Sequence, residues 1–149
     1  MAKTSKRRTR TRRKATAETL IAKNRRTLSE ELDLHGAGLS EVPEALTKLT
    51  HLKGLVLTNN KISRLPRSLL RLNNLRELHL SFNRLVELPE WIGGFKHLRH
   101  LCLNSNRLTG LPESIGQLTA LEDLQVTDNR LTNHPARKWG RRVNCGMWI

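Results

Sequence analysis

The sequence predicts an α/β solenoid, in which successive coils of chain stack side by side and one short parallel sheet lines the inner face. The first observation behind this is the stretch Leu52-Lys53-Gly54-Leu55-Val56-Leu57-Thr58-Asn59-Asn60-Lys61-Ile62-Ser63-Arg64-Leu65-Pro66, which returns at a constant step of 23 residues. Leu52 becomes Leu75, Leu98 and Leu121, and Pro66 becomes Pro89, Pro112 and Pro135. A fixed period of this length marks a stacked-repeat protein. The second is the alternation Leu55-Val56-Leu57, the mark of a half-buried strand. The third is that all five prolines, Pro43 included, fall in one phase. A rigid φ and a missing donor suit one fixed bend after a strand and no ladder position.

Composition agrees with a repeat array. Aromatic residues make up only 3% of the 149 residues, and leucine carries the core. An array of this kind buries a strip between neighbouring coils rather than one globular centre. The formal net charge is +14 and is unevenly spread. Residues 1–26 hold eleven basic side chains against the single acid Glu18.

Residues 1–14 read as a disordered basic arm, because like charges repel and no apolar residue offers a core. Lys6, Arg7, Arg8, Arg10, Arg12, Arg13 and Lys14 form its charged body. Such an arm is a solvated tail, a non-specific nucleic-acid contact or a nuclear import patch. It has no apolar core segment of a secretory signal, and no run in the chain approaches the ~20 apolar residues of a membrane span. Residues 15–28 form a capping helix. Ala17, Leu20, Ile21, Asn24 and Leu28 fall at helical spacing and would cover the open end of the first coil. Arg26-Thr27-Leu28-Ser29 has the shape of a basophilic kinase site.

The repeat domain covers residues 29–136, about five repeats. The first is degenerate but in phase: Leu32, Leu34, Leu39, Val42, Leu46 and Leu49 keep their places, while Ser29 replaces a leucine and Ala37 the asparagine. Atypical terminal repeats are expected, since an end coil has one neighbour only. Within a coil the strand ends at an asparagine. Asn60, Asn83, Asn106 and Asn129 would form a structural ladder, each amide satisfying backbone groups of its own and adjacent coils. Ile62, Leu65, Leu69 and Leu72 return inward along a short helix or irregular turn.

The pattern Leu-x-x-Leu-x-Leu-x-x-Asn-x-Leu-x-x-Leu-Pro resembles that of leucine-rich repeat proteins. With its 23-residue step and Leu-Pro pair it resembles the intracellular class of Ras-pathway scaffold and Ras-suppressor proteins, together with plant and bacterial proteins built on the same repeat. The resemblance covers residues 29–135. It implies a right-handed horseshoe with the sheet on its concave face, and a protein-binding role there.

Exposed strand positions then fall into columns. They run Glu31, Gly54, Glu77, His100, Asp123; then Asp33, Val56, His79, Cys102, Gln125; then His35, Thr58, Ser81, Asn104, Thr127; then Gly36, Asn59, Phe82, Ser105, Asp128; and last Gly38, Lys61, Arg84, Arg107, Arg130. One edge is acidic and the other carries four cations in register. From these columns Glu77, His79, Phe82, Arg84, His100, Asn104, Arg107, Asp123, Gln125 and Arg130 are the candidate partner-binding residues. A binary charged groove favours an elongated partner of matching polarity, and Phe82 is the aromatic anchor among them. His79 and Cys102 are column neighbours, but no oxyanion hole or pocket accompanies them, so no catalytic set is assigned. No spacing suggests a metal site, a disulfide or a cofactor.

The last coil departs from the pattern, with His134, Lys138 and Arg141 where leucines stood. Residues 137–149 are therefore an irregular tail or partial cap, with Trp139, Val143, Met147, Trp148 and Ile149 free to fold onto the exposed leucines; otherwise the array has a sticky end that forms a homodimer. These features point to a non-enzymatic protein-binding scaffold, in signalling by resemblance, in the cytoplasm, or in the nucleus through the arm. The alternatives are a nucleic-acid- or ribosome-associated protein acting through the arm, and a bacterial effector.

Overall fold

The computed structural model describes residues 15–132 and 143–144. Among them a single α-helix, α1 (Ala17–Thr27), is followed by β1 (Glu31–Asp33), β2 (Gly54–Val56), β3 (Glu77–His79), β4 (His100–Cys102), β5 (Asp123–Gln125) and β6 (Val143–Asn144). The strands form one sheet in sequence order, and every pair is parallel. Glu31 pairs with Gly54, Gly54 with Glu77, Glu77 with His100 and His100 with Asp123, so each coil advances by one repeat.

The return halves of the coils are 3-10 turns at Leu46–Lys48, Arg67–Arg71, Glu90–Gly94 and Glu113–Gln117. In the last three a proline in extended conformation immediately precedes the turn, where its fixed φ fits and no donor is needed. Gly93 permits close stacking: a Cβ there would lie 2.5 Å from the Ser114 carbonyl oxygen.

The core is a continuous leucine strip. Leu55, Leu57, Leu78, Leu80, Leu101 and Leu103 point in from the strands, and Leu69, Leu72, Ile92, Phe95 and Leu118 meet them from the return side, all essentially inaccessible to water. Each such side chain contributes roughly 1.5–3 kcal/mol of burial before ordering entropy is set against it.

The asparagines tie coil to coil. Asn83 Nδ2 donates to the carbonyls of Leu57, one coil back, at 2.9 Å and Leu80, in its own coil, at 3.0 Å. Its Oδ1 accepts from the Ile62 amide at 3.0 Å. Asn60, Asn106 and Asn129 repeat this arrangement. A side chain with both donors and acceptor on one planar group is what the position requires.

The first coil has Ala37 in that phase, and α1 supplies a different amide. Asn24 Nδ2 donates to Ser29 O at 3.0 Å and Glu31 O at 2.9 Å, and its Oδ1 meets His51 Nε2 at 2.9 Å. Thr16 caps the helix by accepting from the Thr19 amide. Ala17, Ile21 and Asn24 are buried against the coil. Leu28 differs from its expected place at helical spacing over the first coil. It closes the helix in the left-handed region at φ 52° and is 63% exposed.

At the far end β6 pairs Val143 with Leu124, a step of 19 residues instead of 23. The sequence assigned 137–149 to a tail or partial cap. Within that segment the backbone of Val143–Asn144 pairs along the open edge of β5, an edge that otherwise leaves ladder groups unpaired. The fold of the remaining tail, the homodimer contact and the basic arm lie outside the described residues.

Candidate partner-binding surface

Strand register fixes the first two columns. Glu77, His100 and Asp123 stand side by side, as do His79, Cys102 and Gln125. Beyond the strands, backbone bonds continue the order: Phe82 N donates to Asn104 O at 2.9 Å and Ser105 N to Thr127 O at 2.9 Å. The last column is held the same way. Lys61 N donates to Leu39 O at 2.7 Å, Arg84 N to Ile62 O at 2.9 Å, Arg107 N to Leu85 O at 2.8 Å and Arg130 N to Leu108 O at 2.9 Å.

Several polar residues turn out to be used within the fold. His79 Nε2 lies 3.6 Å from Glu77 Oε2. Gln125 Nε2 donates to Asp123 Oδ2 at 2.8 Å and its Oε1 accepts from Asn104 Nδ2 at 3.0 Å. Asn104 Oδ1 also takes the Thr127 amide at 2.9 Å. Asp33 accepts from the His35 amide at 2.8 Å. Ser81 was placed in an exposed column and is buried, with 8% of its surface accessible. Its equivalents Thr58, Asn104 and Thr127 are half-buried.

The cation row behaves differently. Lys61, Arg84, Arg107 and Arg130 are exposed, and among the described residues no carboxylate pairs with any of them. Ion pairs elsewhere join Lys53 with Glu30, Arg71 with Glu44 and Arg99 with Glu122. Lys53 holds the Glu30 carboxyl below its ordinary value, chiefly through their hydrogen bond.

Phe82 has a property the sequence reading missed. It is 59% exposed and adopts φ 56°, the left-handed region. The whole column shares it: Gly36 at 60°, Asn59 at 58°, Ser105 at 53° and Asp128 at 51°. Gly, Asn and Asp suit that region, whereas a bulky side chain is strained there, at about 1–2 kcal/mol. The signal was legible, since Gly36, Asn59 and Asp128 occupy one phase of the repeat.

Cys102 is half-buried, and burial first, then the Asp123 and Glu77 carboxylates, push its thiol above the ordinary value. The thiolate is thus disfavoured, opposite to what a nucleophile needs. Among the described residues no hydrogen bond joins it to His79, and no group of three or more His, Cys, Asp or Glu is placed to hold a metal ion. No helix there is long and apolar enough to cross a membrane.

A family model described as a leucine-rich repeat region matches residues 31–137. No curated protein sequence matches the chain. Among solved structures, a leucine-rich repeat protein of Leptospira interrogans is 36% identical with a TM-score of 0.64, over 69% of this chain and 28% of that one. The BIR2 ectodomain from Arabidopsis thaliana is 33% identical with a TM-score of 0.62, over 68% of this chain and 56% of its own. A chain of the BIR3–SERK2 complex, also from Arabidopsis, is 33% identical with a TM-score of 0.62, over 68% of this chain and 57% of its own. Internalin C2 from Listeria monocytogenes, 20% identical with a TM-score of 0.65, is alike in fold. The chain thus spans between about a quarter and three fifths of the length of these proteins.

Proposed function

The chain belongs to the leucine-rich repeat family, and from that premise we propose that it is a non-enzymatic protein-interaction module that grips its partner on the concave sheet face. The observation that carries this is the row of exposed cations at one edge of that face, without carboxylate partners among the described residues and with Phe82 beside it. The fold holds these side chains at fixed spacing and leaves their charge facing water. Binding by a relative gives general support, since a structural neighbour was solved within the BIR3–SERK2 complex. The 23-residue Leu-Pro repeat favours the intracellular scaffold class, hence a signalling role in the cytoplasm.

Affinity capture with cross-linking tests the proposal. The full chain is compared with a variant lacking residues 1–14 and with Phe82→Ala/Arg84→Ala/Arg107→Ala. A cross-linked protein lost only in the triple variant supports recognition on the sheet. Equal capture by all three overturns it.

A second reading rests on the basic composition of residues 1–26. Nucleic acid or a ribosome would then be held by the arm, through phosphate contacts with steep salt dependence. RNA binding that falls with salt and vanishes without residues 1–14 would mark that role.

A further inference from the structure

We propose that the occupant of the sheet face is an acidic, extended protein segment bearing one apolar side chain, which seats on Phe82 while its carboxylates follow Lys61, Arg84 and Arg107. This deepens the reading above and rests on it.

The two edges of the face are charged but differ in how far the fold has already satisfied them. On the acidic side, Glu77 has His79 at 3.6 Å and Asp123 has the Gln125 amide at 2.8 Å. Asp33 accepts from a backbone amide, and Glu31 is exposed with no ion pair among the described residues; Asp128, in the column of Phe82, accepts from Ser105 Oγ at 3.3 Å. On the basic side, Lys61, Arg84 and Arg107 have no carboxylate partner among the described residues. The acidic edge is thus met in part by the fold and the cation row by no carboxylate, so the larger unmet charge at the Phe82 side of the face is positive, and the complementary ligand is negative.

Geometry selects an extended chain. Backbone bonds between adjacent coils fix the three cations at a rise of about 4.8 Å per coil, so the row from Lys61 to Arg107 spans about 10 Å. Alternate side chains of an extended peptide recur at about 6.8 Å. Two carboxylates two residues apart fall within reach of all three cations, and Arg presents a fork suited to them.

Phe82 supplies the apolar contact. At φ 56° it occupies a turn position where Asn59 and Asp128 fit without aromatic bulk, and it leaves 59% of its surface in water. The strain and the exposure both count against it in the free protein, so what it contributes lies in contact with something else. Single-stranded nucleic acid is the less suitable polyanion. It calls for successive aromatic platforms, and Phe82 is the one exposed aromatic in the described columns.

The test uses a fluorescent peptide of alternating Glu with a central Trp, a Lys-for-Glu counterpart, an Ala-for-Trp counterpart and a single-stranded RNA oligonucleotide. Each is titrated against the full chain, Phe82→Asn, Arg84→Glu/Arg107→Glu and the variant lacking residues 1–14. The acidic Trp peptide is expected to bind, with affinity falling on the order of tenfold or more in Phe82→Asn, in the double charge reversal and on replacing Trp. Deleting the arm leaves it unchanged. Phe82→Asn is expected to raise the thermal midpoint by about 2–4 °C, which separates loss of contact from loss of fold.

Silence of the acidic Trp peptide, a response to Phe82→Asn or to the charge reversal of less than about threefold, RNA binding with the same Phe82 dependence, or peptide binding that disappears with the arm would each overturn the inference. Binding of the Lys peptide, lost in Glu77→Gln/Asp123→Asn, would overturn the acidic occupant while leaving the sheet face as the recognition surface.

Discussion

Asn83 shows how much one side chain can carry. Its amide bridges two carbonyls and one backbone amide across adjacent coils. Asn83→Ala leaves the Ile62 amide buried without a partner, while Leu57 O and Leu80 O each keep one donor, from Asn60 and Asn106; a buried group left unpaired costs about 1–3 kcal/mol. A loss of about 1–3 kcal/mol is therefore expected in urea unfolding, set mainly by the orphaned Ile62 amide. Asn83→Asp keeps the acceptor for the Ile62 amide but sets a buried carboxylate oxygen against the Leu57 and Leu80 carbonyls, so it should rescue little. Cys102 gives the second residue-scale expectation. Its raised thiol value means that less thiolate is present near neutral pH than on a free cysteine, and alkylation needs the thiolate. In a Cys145→Ser background, iodoacetamide should modify Cys102 more slowly than free cysteine at neutral pH. The gap should narrow as pH rises through the elevated value, and Asp123→Asn should hasten reaction. Faster reaction than free cysteine would mean that the local environment favours the thiolate after all.

At the scale of elements, the period made the strands and their neighbours legible before any coordinates. Leu32, Leu55, Leu78, Leu101 and Leu124 share one column because a constant step leaves no other way to bury them together. The irregular pieces were not legible, for a physical reason: periodicity reports what repeats, and a cap occurs once. Nothing in the spacing around Asn24 announces that it meets His51, 27 residues on. Leu28 looked like part of the helical spacing over the first coil because the helical rhythm cannot tell a last helical residue from the left-handed residue that ends the helix. Asn24→Ala and His51→Ala should each loosen α1, and the double variant should cost less than the two single losses added together. Hydrogen exchange at the Leu28 amide, which donates to Asn24 O at 2.8 Å, reads this out. Packing on the return side makes a sharper demand. Gly93→Ala drives a Cβ to 2.5 Å from the Ser114 carbonyl oxygen and 2.9 Å from its Cβ, so the 3-10 turns of adjacent coils must separate. A loss of about 1–3 kcal/mol is expected. Gly110→Ala has open space around its Cβ and serves as the control. Equal midpoints for the two variants would show that the turns give way freely.

Across the whole molecule, each coil contacts its neighbours along the stack, so stability is close to a sum over coils and the interfaces between them. The ends are treated unequally. At the N-terminal end α1 lays Ala17 and Ile21 on the first coil, while at the other end β5 is met by the two-residue strand β6. Position in the stack should therefore govern the effect of the same chemical change. Leu78 and Leu124 occupy equivalent sites, both fully buried, yet β3 is flanked by two full coils and β5 by one and the short β6. Leu→Ala at a buried site costs about 2–5 kcal/mol. At Leu78 it weakens two interfaces in the middle of the array, and exchange protection should fall together across β2, β3 and β4. At Leu124 the change should stay local, with β5 and β6 opening while β1 to β3 keep their protection. Protection lost evenly over the sheet in both variants would mean that the stack unfolds as one unit, and the short sixth strand would then be as firmly coupled to the array as any coil within it.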